Sequence, residues 1–335
     1  MANNKNICII GDGGWGTTLA ILLCKKGFGV SLWGAFPEYI KLLKSKRENI
    51  KFLPGVKIPK EIKLTPSLEE ALDKRDIVIL AVPSQYMRGV LEMLKMHNLQ
   101  GKSFTSVTKG IETKSLKRMS EVVEEVLGFG KLAALSGPTI ALEVANGVPT
   151  TAVIASEDRI LARDLQDVFM TDRFRVYTVG DMAGVELGGS LKNIIAIAAG
   201  VCDGLGYGAN AKAALLTRGL VEIVRLGAAM GAKRETFYGL SGLGDLTTTC
   251  ISQYSRNRWL GEEIGKGKKL QDILKGTDMV VEGVATTESA HALAKKHNVE
   301  MPITGEVYKV LYENKDPKAA VHDLMTRSPK TEGEY

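Results

Sequence analysis

The sequence predicts an α/β protein in two parts: an N-terminal doubly wound, mainly parallel sheet, then an all-α second domain. Three observations predict it. Up to about residue 180, short apolar or β-branched runs alternate with amphipathic segments. Beyond residue 180 strand signals almost vanish, and long Ala-, Leu-, Ile- and Gly-rich stretches take over. The length of 335 residues suits roughly two domains. The expected division is 1–180, 181–330 and a polar tail at 331–335.

The strand candidates, in order, are Ile7–Ile10, Val30–Trp33, Ile77–Val82, Phe104–Val107, Leu132–Leu135, Thr151–Ala155 and Arg175–Val179. Between them fall helical patterns at Thr17–Lys26, Pro37–Lys46, Ser84–Met96, Ser115–Leu127 and Asp158–Phe169. Apolar strands separated by helices are the pattern of a parallel sheet covered on both faces. Ser67 before Leu68-Glu69-Glu70 reads as a capping box. In the second part, helices are expected at 184–200 and 211–230, then at Glu262–Leu274, Thr286–Lys296 and Thr304–Tyr312.

Composition excludes several classes. Hydrophobic residues at 44% and charged residues at 24% are ordinary for a globular chain. The net charge of +6 lies wholly in residues 1–180, with 25 basic and 19 acidic side chains, whereas residues 181–335 hold 19 of each. There is no basic stripe with interleaved aromatics, so a nucleic-acid partner is not expected. Cys8, Cys24, Cys202 and Cys250 form no CxxC pair, and His97, His291, His297 and His322 have no ligand spacing, so no metal site is expected. Scattered free thiols fit a reducing cytoplasm. The run Ile7–Ile10 is too short for a signal peptide. The apolar stretch around Ile194–Cys202 falls short of the ~20 residues of a membrane helix, so no membrane insertion is expected.

Four segments carry chemistry. Gly11-Asp12-Gly13-Gly14-Trp15-Gly16 follows the first strand and opens the first helix. There Gly11 permits the tight turn, Gly13 lets the backbone approach a pyrophosphate, and Gly16 allows helix and strand to pack closely. The helix N-terminus turns free N–H groups toward the phosphates, so a dinucleotide is the expected ligand of a Rossmann-type domain. The ribose-binding acid expected some 20 residues on is missing, because Trp33-Gly34-Ala35-Phe36-Pro37 offers neither an acid nor an Arg. NAD and NADP therefore both stay open. Lys109-Gly110 and Ser136-Gly137-Pro138-Thr139 each follow a strand, where ligands of open α/β sheets gather. Pro138 is placed in the first turn of a helix beginning near Ile140.

Gly188-Gly189-Ser190-Leu191-Lys192-Asn193 sits inside an apolar helix. Paired glycines weaken a helix, which suggests that something packs on the backbone. A Lys followed by Asn in such a helix is costly to bury unless it faces a polar cleft, and burial brings the Lys pKa toward a usable acid/base range. Finally, Gly242-Leu243-Gly244-Asp245-Leu246-Thr247 with Ser255-Arg256-Asn257-Arg258 brings together groups that suit a polyol phosphate. An Arg fork matches a phosphate bidentately.

Taken jointly, these stretches resemble NAD(P)-dependent glycerol-3-phosphate dehydrogenase of the bacterial type. The match runs through GDGGWGTTLA at 11–20, VTKGIE at 107–112, SGPTIALEVA at 136–145, the segment 188–220, GLSGLGDLTTTC at 239–250, SRNR at 255–258 and VVEGV at 280–284. The resemblance implies reversible reduction of dihydroxyacetone phosphate to sn-glycerol 3-phosphate for phospholipid synthesis, in a cytoplasmic homodimer. It implies Lys192 as the proton donor and acceptor. Lys109, Gly137, Thr139, Asp245, Ser255, Arg256 and Asn257 are implied around the substrate with Lys192. Gly14, Trp15, Lys109, Ala141, Arg256, Val280 and Glu282 are implied at the cofactor, beside Gly11, Gly13 and Gly16 of the loop. Two other readings compete: a 3-hydroxyacid or ketopantoate-type reductase, and a non-catalytic NAD(H)-sensing protein. Neither accounts for the Gly-Leu-Gly-Asp and Ser-Arg-Asn-Arg pair together with an intact Lys192.

Overall fold

The computed structural model describes residues 5–128, 130–329 and 331–332, so most of the expected tail lies outside the described residues. The chain forms two compact units. One takes the residues up to Thr108 together with Met119–Met182, and the other takes Lys109–Arg118 and the chain from Ala183 on. A single cut at 180 is thus corrected by an excursion: residues 109–118 leave the sheet unit and join the helical one.

The first unit is built on strands β1 (Asn6–Ile10), β2 (Gly29–Trp33), β3 (Glu48–Asn49), β4 (Leu53–Lys57), β5 (Lys63–Thr65), β6 (Ile77–Leu80), β7 (Ser103–Ser106), β8 (Leu132–Ser136), β9 (Thr150–Ala155) and β10 (Phe174–Val179). Among the described residues, eight of them form one sheet in the order β10-β9-β8-β7-β6-β1-β2-β5, and β3 and β4 pair separately. All neighbours in the large sheet run parallel except β8 and β9. The order reverses between β1 and β6, the switch point outside which such sheets bind ligands. Ile7, Cys8, Ile9 and Ile10 of β1 and Val78, Ile79 and Leu80 of β6 are fully buried, as central strands covered on both faces require.

The helices of this unit are α1 (Gly14–Lys25), α2 (Pro37–Lys46), α3 (Leu68–Leu72), α4 (Met87–Lys95), α5 (Met119–Leu127), α6 (Ala141–Ala145) and α7 (Arg159–Phe169). Ser67 caps α3 by accepting from the Glu70 N–H at 3.3 Å. The box is half formed, because Glu70 accepts from the Thr65 hydroxyl instead of reaching back. Two starts are corrected. The helix expected from Ser115 begins at Met119, after the excursion, and α6 begins at Ala141, leaving Pro138 in the preceding loop.

The second unit has no strand among its described residues. Its helices are α8 (Met182–Gly204), α9 (Ala209–Ala229), α10 (Asp245–Ile251), α11 (Arg256–Gly265), α12 (Leu270–Lys275), α13 (Glu282–Lys296), α14 (Pro302–Tyr312) and α15 (Pro317–Met325). The pattern read as one helix at Glu262–Leu274 is two, broken at Gly267, where the backbone is left-handed (φ +92°). The helix α8 also corrects the hydropathy expectation, since 23 residues are long and apolar enough to span a bilayer. Its apolar window is wholly buried, so it is the core helix of this unit. Ile194, Ile195 and Ile197 pack there with Leu226, Phe237 and Leu260, and Ile111 of the excursion belongs to the same core.

Backbone contact fixes α8 against α11. A Cβ built on Gly200 would fall 1.9 Å from the Arg258 carbonyl oxygen, and one on Gly261 would fall 1.9 Å from that of Ile197. Gly204 and Gly265, one turn further on, meet in the same way. Only glycines permit that approach.

Candidate active site

In the first unit, β1 ends at Ile10 and the chain turns at Gly11, whose φ of +118° is unfavourable for a side chain. A Cβ on Gly16 would lie 1.9 Å from the Gly11 carbonyl oxygen, which is the close packing of turn on helix expected for this motif. Gly13 differs from both. Its φ is −68°, and nothing lies within 4 Å of where its Cβ would be, so that face of the loop is open. Gly13 also caps α1 without any side-chain hydrogen bond, which leaves first-turn N–H groups for an anion. Two buried polar atoms of the loop, Asp12 Oδ2 and Trp15 Nε1, have no hydrogen-bond partner among the described residues. An open glycine face, uncapped N–H groups and two orphaned polar atoms fit a dinucleotide.

The loop is held from outside the motif. Asn49 donates to the Asp12 carbonyl at 2.8 Å and to the Thr17 hydroxyl at 2.7 Å, and its own Oδ1 accepts from the Tyr39 hydroxyl and the Phe52 N–H. Gly14 and Ala141 come together: their neighbourhood is tied by the Thr18 hydroxyl, which donates to the Ala141 carbonyl at 3.1 Å. Gly137 ends β8 with φ +133°, and the Thr139 hydroxyl turns back on the Gly137 carbonyl at 3.1 Å.

In the second unit the cations converge on one carboxylate. Lys109 Nζ lies 2.7 Å from Asp245 Oδ2, and Lys192 Nζ lies 3.0 Å from Asp245 Oδ1. Lys192 also donates to the Thr249 hydroxyl at 2.6 Å, which in turn donates to Asp245 at 3.2 Å. Lys192 and Asp245 are 6% and 2% exposed. Asp245 is delivered by a wide turn in which the Gly244 N–H reaches the Gly239 carbonyl at 3.1 Å, a π-type closure of the kind that recurs at functional sites. The glycine at 188 in α8 is explained by the same turn, because a Cβ there would fall 2.7 Å from the Ser241 carbonyl oxygen.

Burial favours the neutral form of Asp245, but the two ammonium groups outweigh it and hold the carboxyl below its ordinary range. Burial pushes the Lys109 ammonium down to about 8; Asp245 opposes the fall and Lys192 adds to it.

A chain of amides continues from this cluster. Asn193 donates to the Lys109 carbonyl at 3.3 Å, Asn257 donates to Asn193 Oδ1 at 2.8 Å, and the Gly283 N–H donates to Asn257 Oδ1 at 2.9 Å. Ser255 caps α11 by accepting from the Arg258 N–H. Arg256 donates to the Val280 carbonyl at 3.4 Å, and burial lowers its pKa while Glu282 opposes this. Arg258, which the sequence set beside Arg256, is committed elsewhere: Asp203 holds its Nε at 2.6 Å. The second unit thus assembles Lys109, Lys192, Asp245 and Asn257 into one network, and Arg256 with Val280 into another contact. Gly11–Gly16, Gly137, Thr139 and Ala141 belong to the first unit.

Sequence reasoning set Asn193 beside Lys192 as needing a polar cleft, but missed Thr249 as a member of the network. Thr249 lies four residues after Asp245, hence on the same face of α10, which was the available signal. Among the described residues no group of three or more His, Cys, Asp and Glu side chains suits a metal.

The chain is similar to known proteins along nearly its whole length. A family model for the N-terminus of NAD-dependent glycerol-3-phosphate dehydrogenase matches residues 6–162, and one for its C-terminus matches 181–322. The chain is 49% identical over 329 residues to the glycerol-3-phosphate dehydrogenase [NAD(P)+] of Prosthecochloris aestuarii, covering 97% of this chain and 99% of that one. A crystal structure of glycerol-3-phosphate dehydrogenase from Coxiella burnetii matches with a TM-score of 0.94 and 39% identity, over 97% of this chain and 100% of that one. A ketopantoate reductase from Ralstonia eutropha shares the fold alone, at 14% identity and a TM-score of 0.61 over 95% of this chain and 100% of that one.

Proposed function

The chain belongs to the NAD-dependent glycerol-3-phosphate dehydrogenase family, and from that premise we propose that it interconverts dihydroxyacetone phosphate and sn-glycerol 3-phosphate with NADH or NADPH. The observation that carries the reading is the convergence of Lys109 and Lys192 on the buried Asp245. The nicotinamide, when bound, supplies and accepts the hydride. What remains for the protein is to bind the phosphate, orient the ketone and move one proton.

Lys192 does the last of these. Its ammonium is fixed by Asp245 and Thr249, so it stands preoriented to give a proton to the C2 oxygen as negative charge builds there, and to take it back in the reverse direction. Asp245 restrains both lysines and keeps two like charges within one small volume. Lys109 adds positive charge to the site. Arg256, with Ser255 and Asn257 beside it at the start of α11, takes the phosphate; its guanidinium offers a planar fork that an ammonium lacks. In the first unit Gly11, Gly13, Gly14, Trp15 and Gly16, with Ala141, hold the cofactor.

The product supplies a phospholipid backbone, and the reading carries with it a cytoplasmic homodimer, which light scattering at twice the chain mass tests. The decisive assay is loss of 340 nm absorbance on mixing the protein with dihydroxyacetone phosphate and either reduced cofactor. Turnover with a 2-oxo or 3-oxo carboxylate, and none with dihydroxyacetone phosphate, overturns the proposal.

A further inference from the structure

We propose that Asp12 sets the choice of cofactor: its carboxylate, lodged at the end of β2, receives the adenosine ribose 2′-hydroxyl and turns away a 2′-phosphate. The chain therefore takes NADH in preference to NADPH. The inference rests on the dinucleotide site proposed above and deepens it.

In a doubly wound sheet the 2′ position of the ribose is met at the carboxyl end of the second strand, by an acid there for NAD or a nearby Arg for NADP. Here β2 ends at Trp33, and Gly34, Ala35 and Phe36 that follow bring neither. The missing group arrives from the neighbouring strand. β1 and β2 run parallel with Ile10 opposite Trp33, and the Gly11 N–H donates to the Trp33 carbonyl at 2.9 Å, so the two strand ends leave side by side. Asp12 then crosses over. A Cβ built on Gly34 would fall 2.2 Å from Asp12 Oδ2 and 2.5 Å from its Cγ, so the carboxylate occupies the space that any other residue at 34 would fill. The residue that looks like an absence in the sequence is the one that makes room for the acid.

One oxygen of the carboxylate is also unsatisfied. Oδ2 is buried, accepts no hydrogen bond among the described residues, and no Lys or Arg among them pairs with it. A buried acceptor left so is costly, and a donor brought by a ligand removes the cost. Its main chain is not free to drift, since Asn49 clasps the Asp12 carbonyl and is itself held by Tyr39. A ribose 2′-hydroxyl supplies the donor. A 2′-phosphate brings negative charge to the same place and meets no guanidinium at 34–36.

The test is direct binding, by isothermal titration calorimetry, of NADH, NADPH and the 2′-deoxyadenosine analogue of NADH to the full chain. The unaltered protein is expected to bind NADH at least about tenfold more tightly than NADPH, the size of one hydrogen bond to a charged group. It is expected to bind the deoxy analogue about as much more weakly. In Asp12→Asn, which keeps the shape and removes the charge, the gap between NADH and NADPH closes to within about threefold. In Gly34→Ala, which drives the carboxylate from its place, NADH affinity falls and the penalty for the deoxy analogue disappears. Equal binding of NADH and NADPH by the unaltered protein overturns the inference, as does an unchanged ratio in Asp12→Asn. Failure of the unaltered protein to bind either cofactor overturns instead the dinucleotide site on which it rests.

Discussion

Asp245 balances two ammonium groups on one carboxylate, and the two lysines answer differently to change. On the proposed function the Lys192 amine brings a charge and a proton to the reacting oxygen, so Lys192→Ala should lower kcat by about 10²- to 10⁴-fold with little effect on cofactor binding. Steady-state rates paired with NADH titration check this, and near-normal turnover would remove Lys192 from the chemistry. For Lys109 the expectation is a pH limb. Its ammonium titrates at about 8 in the folded chain, against an ordinary 10.5. It is charged below that pH and neutral above it. The kcat/KM for dihydroxyacetone phosphate, which reports the free enzyme, should therefore fall as pH rises through about 8. In Lys109→Arg, which stays charged, that fall should be absent. The stability sign is opposite: between about 8 and 10.5 the unfolded chain holds the extra proton, so this group's contribution to stability rises with pH across that window.

Among the elements, the α8–α11 crossing ties Lys192 and Asn193 on one helix to Ser255, Arg256 and Asn257 on the other. With glycine facing carbonyl on both sides, Gly200→Ala or Gly261→Ala must push the helices apart. Each should cost about 1–3 kcal/mol or more, the range of overpacked cores, and raise KM as the two halves of the network separate. Chemical denaturation and substrate kinetics on the same variant check both effects; an unchanged midpoint would mean that the crossing yields without strain. The crossing also marks what could be read in advance. The central strands β1 and β6 were legible because covered strands are apolar throughout, and Lys192 because a charge inside an apolar helix asks for a partner. The short strand β5, with Lys63 on it, and the small β3–β4 pair carry no such run and went unseen. Ser255-Arg256-Asn257-Arg258 read as one polar patch, yet Asp203, more than 50 residues earlier, claims Arg258 for structure. Asp12 was hidden for a different reason: its meaning depends on Gly34, which the sequence does not show beside it.

Across the whole molecule, the net charge of +6 lies in residues 1–180, and residues 181–335 balance to zero. Of the cations proposed to recognise the substrate, Lys192 and Arg256 stand in the balanced half, and only Lys109, mostly buried against Asp245, comes from the half with the surplus. The KM for dihydroxyacetone phosphate should thus change by less than about threefold from about 50 to about 300 mM salt, since buried charges are screened little. A much steeper rise would point to steering by the surface of the first unit. The excursion of residues 109–118 has a consequence for how the molecule comes into being. Lys109 meets Asp245 across 136 residues, and the Ile111 carbonyl accepts from Ser289 across 178. The helical unit therefore borrows a strap that is synthesised long before its own helices leave the ribosome. A fragment starting at Ala183 is born without one of its two lysines and with a gap where Ile111 should sit. Supplying a peptide of residues 109–118 in trans is the natural way to make that fragment whole, and the seam for a split version of this protein lies outside the strap, not at the apparent border near 180.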